Sequence, residues 1–229
     1  KTKLRPTRED RRLDREILPE TFTIGLPALG TTFVSCFGYI AFARMVSGMG
    51  TTIFAAHSIA ITAEQIVYIP GYGLRVATST LVGNALGEKD IRKLKATERV
   101  SILITLLIMV VNGIGLYLFA YPFMRLFTNS VNAARIGSEM LRLVSFSEPF
   151  FGLMIVLEGI SYGMGRTKHV FACEAVSMWG IRLTLAVLLA PRFGLVGVWF
   201  AMCAELCTRG ALFLLRLARG KWLDKGALA

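Results

Sequence analysis

Glu64 is the one carboxylate in the stretch Thr51 to Gly87, TTIFAAHSIAITAEQIVYIPGYGLRVATSTLVGNALG, which is otherwise apolar enough to cross a bilayer. An ionisable group inside a membrane segment is expensive, and such groups mark ion or substrate paths. At a rise of about 1.5 Å per residue, Glu64 stands about 18 Å from an outer end near Thr52, close to the midplane of a hydrocarbon core about 30 Å thick. Steps of about 100° per residue gather His57, Ser58, Thr62, Glu64, Gln65 and Tyr68 on one arc. Ile59, Ala60, Ala63, Ile66 and Val67 fill the other, with Ile61 the exception. On that polar face Glu64, His57 and Tyr68 are candidate substrate- or ion-binding groups; the alternative is a packing helix whose polar arc is satisfied by its neighbours. Pro70 lacks the N–H that would bond one turn back, which frees the carbonyl near Ile66. Pro70, Gly71 and Gly73 are therefore expected to form a kink or hinge.

The remaining intramembrane charges extend the candidate set. Glu148, in Glu148-Pro149, lies about 16 Å from an outer end near Gly137, a depth similar to that of Glu64, so the two are expected to form a coupled pair. Glu158 falls nearer the inner end of the same stretch and is expected to serve as an anchor reaching headgroups or a basic loop residue. Glu174 and Arg182 face inward at different depths. Glu205 and Arg209 stand at i and i+4 with the glutamate first, the better order for an intrahelical ion pair. They form either a mutually neutralising structural pair or, with Arg182, part of the binding surface. Tyr68, Tyr72, Phe150, Phe151, Met154 and Met178 are candidate apolar walls for a cavity, residue types that equally fill helix cores.

Other chemistries lack their residues. Cys36, Cys173, Cys203 and Cys207 lie inside apolar stretches with no C-x-x-C, and His57 and His169 are not spaced for zinc, so the thiols are expected to be buried small hydrophobes. There is no phosphate-cradling Walker sequence. No nucleophile, base and metal set clusters in the chain. The reading is of a protein that is not an enzyme and uses no cofactor, its energy coming from an ion gradient or from elsewhere.

These residues need helices to position them. With 54% hydrophobic and 18% charged residues and a mean hydropathy of +0.58, the composition is that of a polytopic, all-α membrane protein. Apolar stretches at about 22–47, 52–86, 97–124, 137–163, 168–191 and 195–216 each approach or exceed the roughly 20 residues that span a bilayer. The net charge of +11 would suggest nucleic acid on a soluble domain, but here the basic residues fall in the breaks between apolar runs, which points to the lipid bilayer as partner and not to nucleic acid. Eighteen Lys and Arg lie on one proposed side and Arg125, Arg135 and Arg192 on the other, which predicts cytoplasmic termini. The expected organisation is a cytoplasmic linker at 1–21, a six-helix lobe at 22–218 and a cytoplasmic tail at 219–229. Within the lobe, Gly87-Glu88-Lys89-Asp90 reads as a helix stop followed by an acidic N-terminal turn, and the third stretch, with Asn112 its one strongly polar side chain, is expected to face lipid.

Gly25-Leu26-Pro27, Phe42-Ala43-Arg44, Ala55-Ala56-His57, Pro70-Gly71-Tyr72-Gly73 and Thr80-Leu81-Val82-Gly83-Asn84-Ala85-Leu86-Gly87 resemble, in order and spacing, the second half of multidrug and toxic compound extrusion (MATE) transporters. Gly159-x-x-x-Gly163-x-Gly165, Trp179-x-x-Arg182 and Gly194-x-x-Gly197-Val198-Trp199 continue the resemblance, which runs from about Ile24 to Trp222. It implies one six-helix lobe of a twelve-helix antiporter, with an N-terminal six-helix lobe as partner and a cationic amphiphilic small molecule as substrate, exported in exchange for Na⁺ or H⁺. Two positions depart from the family pattern. Ser35 stands where several members carry a glutamate, and Arg166 where an acidic residue is common, so the first-span cation site is not carried over and the role falls to Glu64, which matches a glutamate found in part of the family.

The residues support transport independently. Carboxylates at mid-depth among aromatic and Met walls would hold a greasy cation, and Na⁺ or a proton at the same carboxylates would compete with it. The alternatives are a lipid-linked precursor flippase, for which Arg75, Arg182 and Arg209 would form a cationic groove, and a half-size lobe acting as a dimer or non-transporting partner.

Overall fold

The computed structural model describes residues 17–218. Most of the expected linker, up to Glu16, and the expected tail from Arg219 onward lie outside the described residues, as do the basic side chains they carry. Among the described residues every regular element is helical.

Helices α1 (Ile17–Ser47) and α2 (Thr51–Gly87) are joined by a turn in which Gly50 takes a φ of 111°. Helix α2 runs unbroken through Pro70. Beside the carbonyl that Pro70 frees, Asn112 of α3 (Ile91–Phe127) donates its Nδ2 to the Val67 carbonyl at 3.1 Å, so a neighbouring helix engages the backbone there. The α2–α3 turn has the expected acidic cap, since the Asp90 carboxylate accepts from the Arg92 and Lys93 amides at 2.9 and 3.0 Å. The left-handed residue of the turn is Lys89, at φ 54°, while Gly87 is the last helical residue.

The fourth stretch is not one straight span. Helices α4 (Val131–Ser145) and α5 (Glu148–Gly163) meet at a 61° bend. Pro149 explains the position of the break: in a continued helix its ring would strike the carbonyl of Ser145, whereas in the first turn of a new helix it is tolerated. Helix α5 is the most enclosed element, with Ile155, Val156, Leu157 and Ile160 fully buried. Gly159 lets α2 press onto it, because a Cβ there would lie 2.7 Å from the Arg75 carbonyl.

Helix α6 (Thr167–Ala175) passes into a π-helical segment (Val176–Leu183) and then α7 (Thr184–Ala218). Thr167 to Leu217 is a run of 51 residues, but it turns back at Gly194, whose φ of 57° and ψ of −137° are not helical. Arg182 and Glu205 approach to 3.8 Å across that point, whereas a straight helix would hold them about 34 Å apart. A Cβ on Gly197 would meet the Leu189 carbonyl at 2.7 Å, so the two arms lie antiparallel and close. The run therefore makes two spans. With α1, α2, α3 and the bent α4–α5 pair, the chain forms six membrane-spanning helices, as the sequence predicts.

The third span is two-sided. Leu103, Leu107, Leu118 and Phe119 point outward, as expected for lipid contact, while Met109, Ala120 and Met124 are fully buried against α2, α4 and α5.

Candidate functional site

A cavity of about 690 Å³ opens between α1, α2, α5, α6 and the second arm of α7. Its wall on α2 carries Glu64, Tyr68, Tyr72 and Arg75, at offsets of four, eight and eleven residues, which fall within one arc of an α-helix. Two kinds of surface make up the site.

One is a carboxylate set in aromatic rings. The Tyr68 hydroxyl donates to Glu64 Oε1. Tyr68 also stacks on Phe151, with ring centroids 3.8 Å apart, and Tyr72 stands edge-on to both at 6.5 and 6.1 Å. Met154 completes this wall. Glu64 has no ion-pair partner among the described residues; its hydrogen bond is from Tyr68 alone.

The other is a chain of alternating charges that runs across five helical segments. Arg75 reaches Glu158 at 3.3 Å, and Glu158 faces Arg209 at 4.0 Å. Arg209 pairs with Glu174 and lies 2.8 Å from Glu205 Oε1, and Glu205 in turn lies 3.8 Å from Arg182. Ser35 of α1 donates to Glu174 at 2.5 Å. The Arg182 guanidinium covers the Phe42 and Tyr39 rings at 4.5 and 5.1 Å. Three arginines and three glutamates cancel in full sign, which is how six charges tolerate an apolar setting. Glu64 stands apart from this balance.

The expected site residues separate. Glu64, Tyr68 and Arg182 line the cavity, with Tyr72, Phe151 and Met154 as its walls. Glu205 lies behind the wall, fully buried, and acts on the cavity through Arg182 and Arg209. His57 is not at the cavity: its Nδ1 accepts from Trp199 Nε1 at 3.1 Å and its ring packs against Phe42. The polar arc of α2 is thus divided, one part turned to the cavity and His57 satisfied in the core. Glu148 is also off the cavity, wholly buried at the α4–α5 bend with both oxygens lacking a hydrogen-bond partner. It remains within electrostatic reach of Glu64, and both carboxylates act on Tyr68, so the expected pairing in depth holds although Glu148 does not line the cavity. Phe150 faces outward and Met178 packs under Gly38, so neither is a wall. Pro70, Gly71 and Gly73 sit within continuous helix, Gly71 packed against Met109.

Glu158 is the residue most underrated by the sequence. It is buried and central to the charge chain, held by Arg75 of α2 and Arg209 of α7 and not by a basic loop residue. Arg75, Glu174 and Ser35 join it. The signal available was the near-equality of acidic and basic residues inside the apolar stretches. The thiols differ as well: Cys36 is exposed and borders the cavity, and Cys173, Cys203 and Cys207 are half-buried. No cluster of metal-ligating side chains occurs among the described residues.

The MatE family profile matches residues 27–188. A probable multidrug resistance protein NorM of Thermotoga maritima is 29% identical over 232 residues, which cover 96% of this chain and 50% of that protein. Multidrug and toxin extrusion protein 1 of Oryctolagus cuniculus is 25% identical over 88% of this chain and 36% of its own length. Among solved structures, a MATE transporter in the bent conformation has the same fold with a TM-score of 0.87 at 20% identity, over 97% of this chain and 50% of that one. The Vibrio cholerae MATE transporter VcmN gives 0.86 at 17% identity, over 93% and 49%. The chain spans about half the length of the curated relative it matches over most of its own. Six helices folded as one transporter lobe, and a family profile that covers most of them, make this chain a member of the MatE family of multidrug efflux transporters.

Proposed function

We propose that this lobe is half of a secondary antiporter that exports cationic amphiphilic compounds in exchange for Na⁺ or H⁺, working with a second six-helix lobe across the cavity and with both termini in the cytoplasm. The observation that carries the reading is Glu64: a carboxylate on the cavity wall, among Tyr68, Tyr72, Phe151 and Met154, that makes no ion pair among the described residues, although the Arg182 charge lies within electrostatic reach. An organic cation gains Coulomb attraction from that carboxylate and apolar burial from the rings, with a cation–π contribution. A proton or Na⁺ on the same carboxylate removes the attraction, so each ligand displaces the other, and exchange follows from competition.

The flippase reading is not favoured. Arg75, Arg182 and Arg209 each face a carboxylate, so they do not combine into an open cationic groove for a diphosphate.

Glu64→Gln tests the proposal in the transporter with both lobes. The amide keeps shape and can still accept from Tyr68, but carries no charge. Gradient-driven efflux of a cationic dye should fall at least tenfold, which a loss of about 1.4 kcal/mol already produces, while membrane insertion and protein level persist. Efflux within twofold of the parent at equal protein level would refute the assignment.

A further inference from the structure

The outward face of α3 changes character along its length. At about 100° per residue, Leu103, Leu107, Val110 and Ile114 fall within an arc of about 80° that also contains Arg92, Ala96 and Arg99. The four apolar side chains are exposed, and so are Arg92, Lys95, Ala96 and Arg99. No residue of α3 lines the cavity, so this face lies away from the side that a second lobe would close.

Length puts the two parts at different depths. Val100 to Phe119 is a run of 20 residues without a charge, about 30 Å of helix, which equals the thickness of a hydrocarbon core. Arg99 and Arg92 stand just beyond its end, at headgroup level, about 10.5 Å apart along the axis with the small side chain of Ala96 between them.

The cations at this end are not spent within the protein. Lys93 pairs with Glu88 at 2.6 Å, but Arg92, Lys95 and Arg99 make no ion pair among the described residues. Glu98 is within electrostatic reach of Lys95 and Arg99, yet it lies about 100° round the helix from Arg99, off the apolar lane. Asp90 is turned to the Arg92 and Lys93 amides. A lane of exposed hydrocarbon headed by three unpaired cations matches a ligand with an anionic head and apolar chains.

We infer that α3 holds an anionic phospholipid, its phosphate between Arg92 and Arg99 above Ala96, Lys95 at its flank, and its acyl chains along Leu103, Leu107, Val110 and Ile114. The guanidiniums bind phosphate oxygens through charge-assisted hydrogen bonds. Phosphatidylcholine is disfavoured, because its ammonium is repelled by the same three cations. The site is separate from the cavity and does not depend on the role of Glu64.

The test reads lipid identity at this position. The transporter with both lobes carries a bimane label on Leu107→Cys, about 12 Å below Arg99 along the helix, with all other cysteines replaced. It is reconstituted in phosphatidylcholine bilayers, and quenching by phosphatidylglycerol brominated in its acyl chains is compared with quenching by phosphatidylcholine brominated in the same way. Phosphatidylglycerol should be preferred about fivefold or more, the factor for one cation near an anionic lipid. In Arg92→Gln/Arg99→Gln the preference should fall to about one. Lys89→Gln/Lys93→Gln removes the same number of cations from the same end of α3 but off the lane, and should leave the preference within twofold of the parent. All four side chains are exposed, so these variants keep the fold. A parent preference near one, or a preference unchanged in the arginine variant, overturns the inference. An equal fall in the lysine variant also overturns it, since net charge alone would then collect the lipid.

Discussion

Arg209 faces three carboxylates, Glu158, Glu174 and Glu205, and each has a different fallback when it is lost. Glu158 retains Arg75 and Glu205 retains Arg182, but Glu174 keeps only the Ser35 hydroxyl. Arg209→Gln should therefore cost about 3–5 kcal/mol, the range for breaking a buried pair, most of it from Glu174. Adding Glu174→Gln should restore part of that loss, and thermal unfolding of the two single variants and the double variant in detergent measures the coupling. Equal and additive losses would deny the pairing. The contacts that were readable from the sequence are those one turn apart on one helix, Glu64 with Tyr68 and Glu205 with Arg209. Arg75 and Glu158 are 83 residues apart, and His57 and Trp199 are 142 apart. A polar arc says which way a side chain points, not which partner the fold brings to it, and so His57 looked like a ligand.

Gly194 sets the topology of the last two spans. Its φ of 57° with ψ of −137° lies in a region that residues with a Cβ rarely enter, so Gly194→Ala should cost about 1–3 kcal/mol. Pro191→Ala, three residues earlier and within helical structure, should cost less. Thermal unfolding of both variants checks the order, and a reversed order would locate the turning point elsewhere. The sequence marks this reversal well, because Pro191 and Gly194 separate two apolar runs. It also contains the α4–α5 break, in Pro149, but a proline inside a long apolar run leaves two outcomes open, a kinked span or two helices. Here two helices at 61° make up one bent span, and the N-terminal part starts at Val131, earlier than hydropathy suggested, because Arg135 and Arg142 sit on the polar side of an amphipathic helix.

The whole lobe presents the cavity on one side, where a second lobe would close it, and transporters of this kind move substrate between two bundles that rock against each other. Vesicles holding only these 229 residues should accordingly show no gradient-driven dye efflux. Robust efflux would instead support a half-size protein acting as a dimer. Orientation is checked in intact cells by a membrane-impermeant thiol reagent, after Cys36, Cys173, Cys203 and Cys207 are replaced by Ala. A cysteine at Asn129 should react from outside intact cells, and one at Lys3 should not; the opposite pattern would invert the assignment of sides. The charge chain has a consequence on a longer timescale. Because its three positive and three negative members cancel inside an apolar bundle, a lineage that drops one of them exposes an uncompensated ion, and the damage is repaired only by losing a member of opposite sign. Drift at these positions is thus channelled into paired exchanges, whereas Glu64, outside that chain of ion pairs, has no partner whose loss would compensate its own.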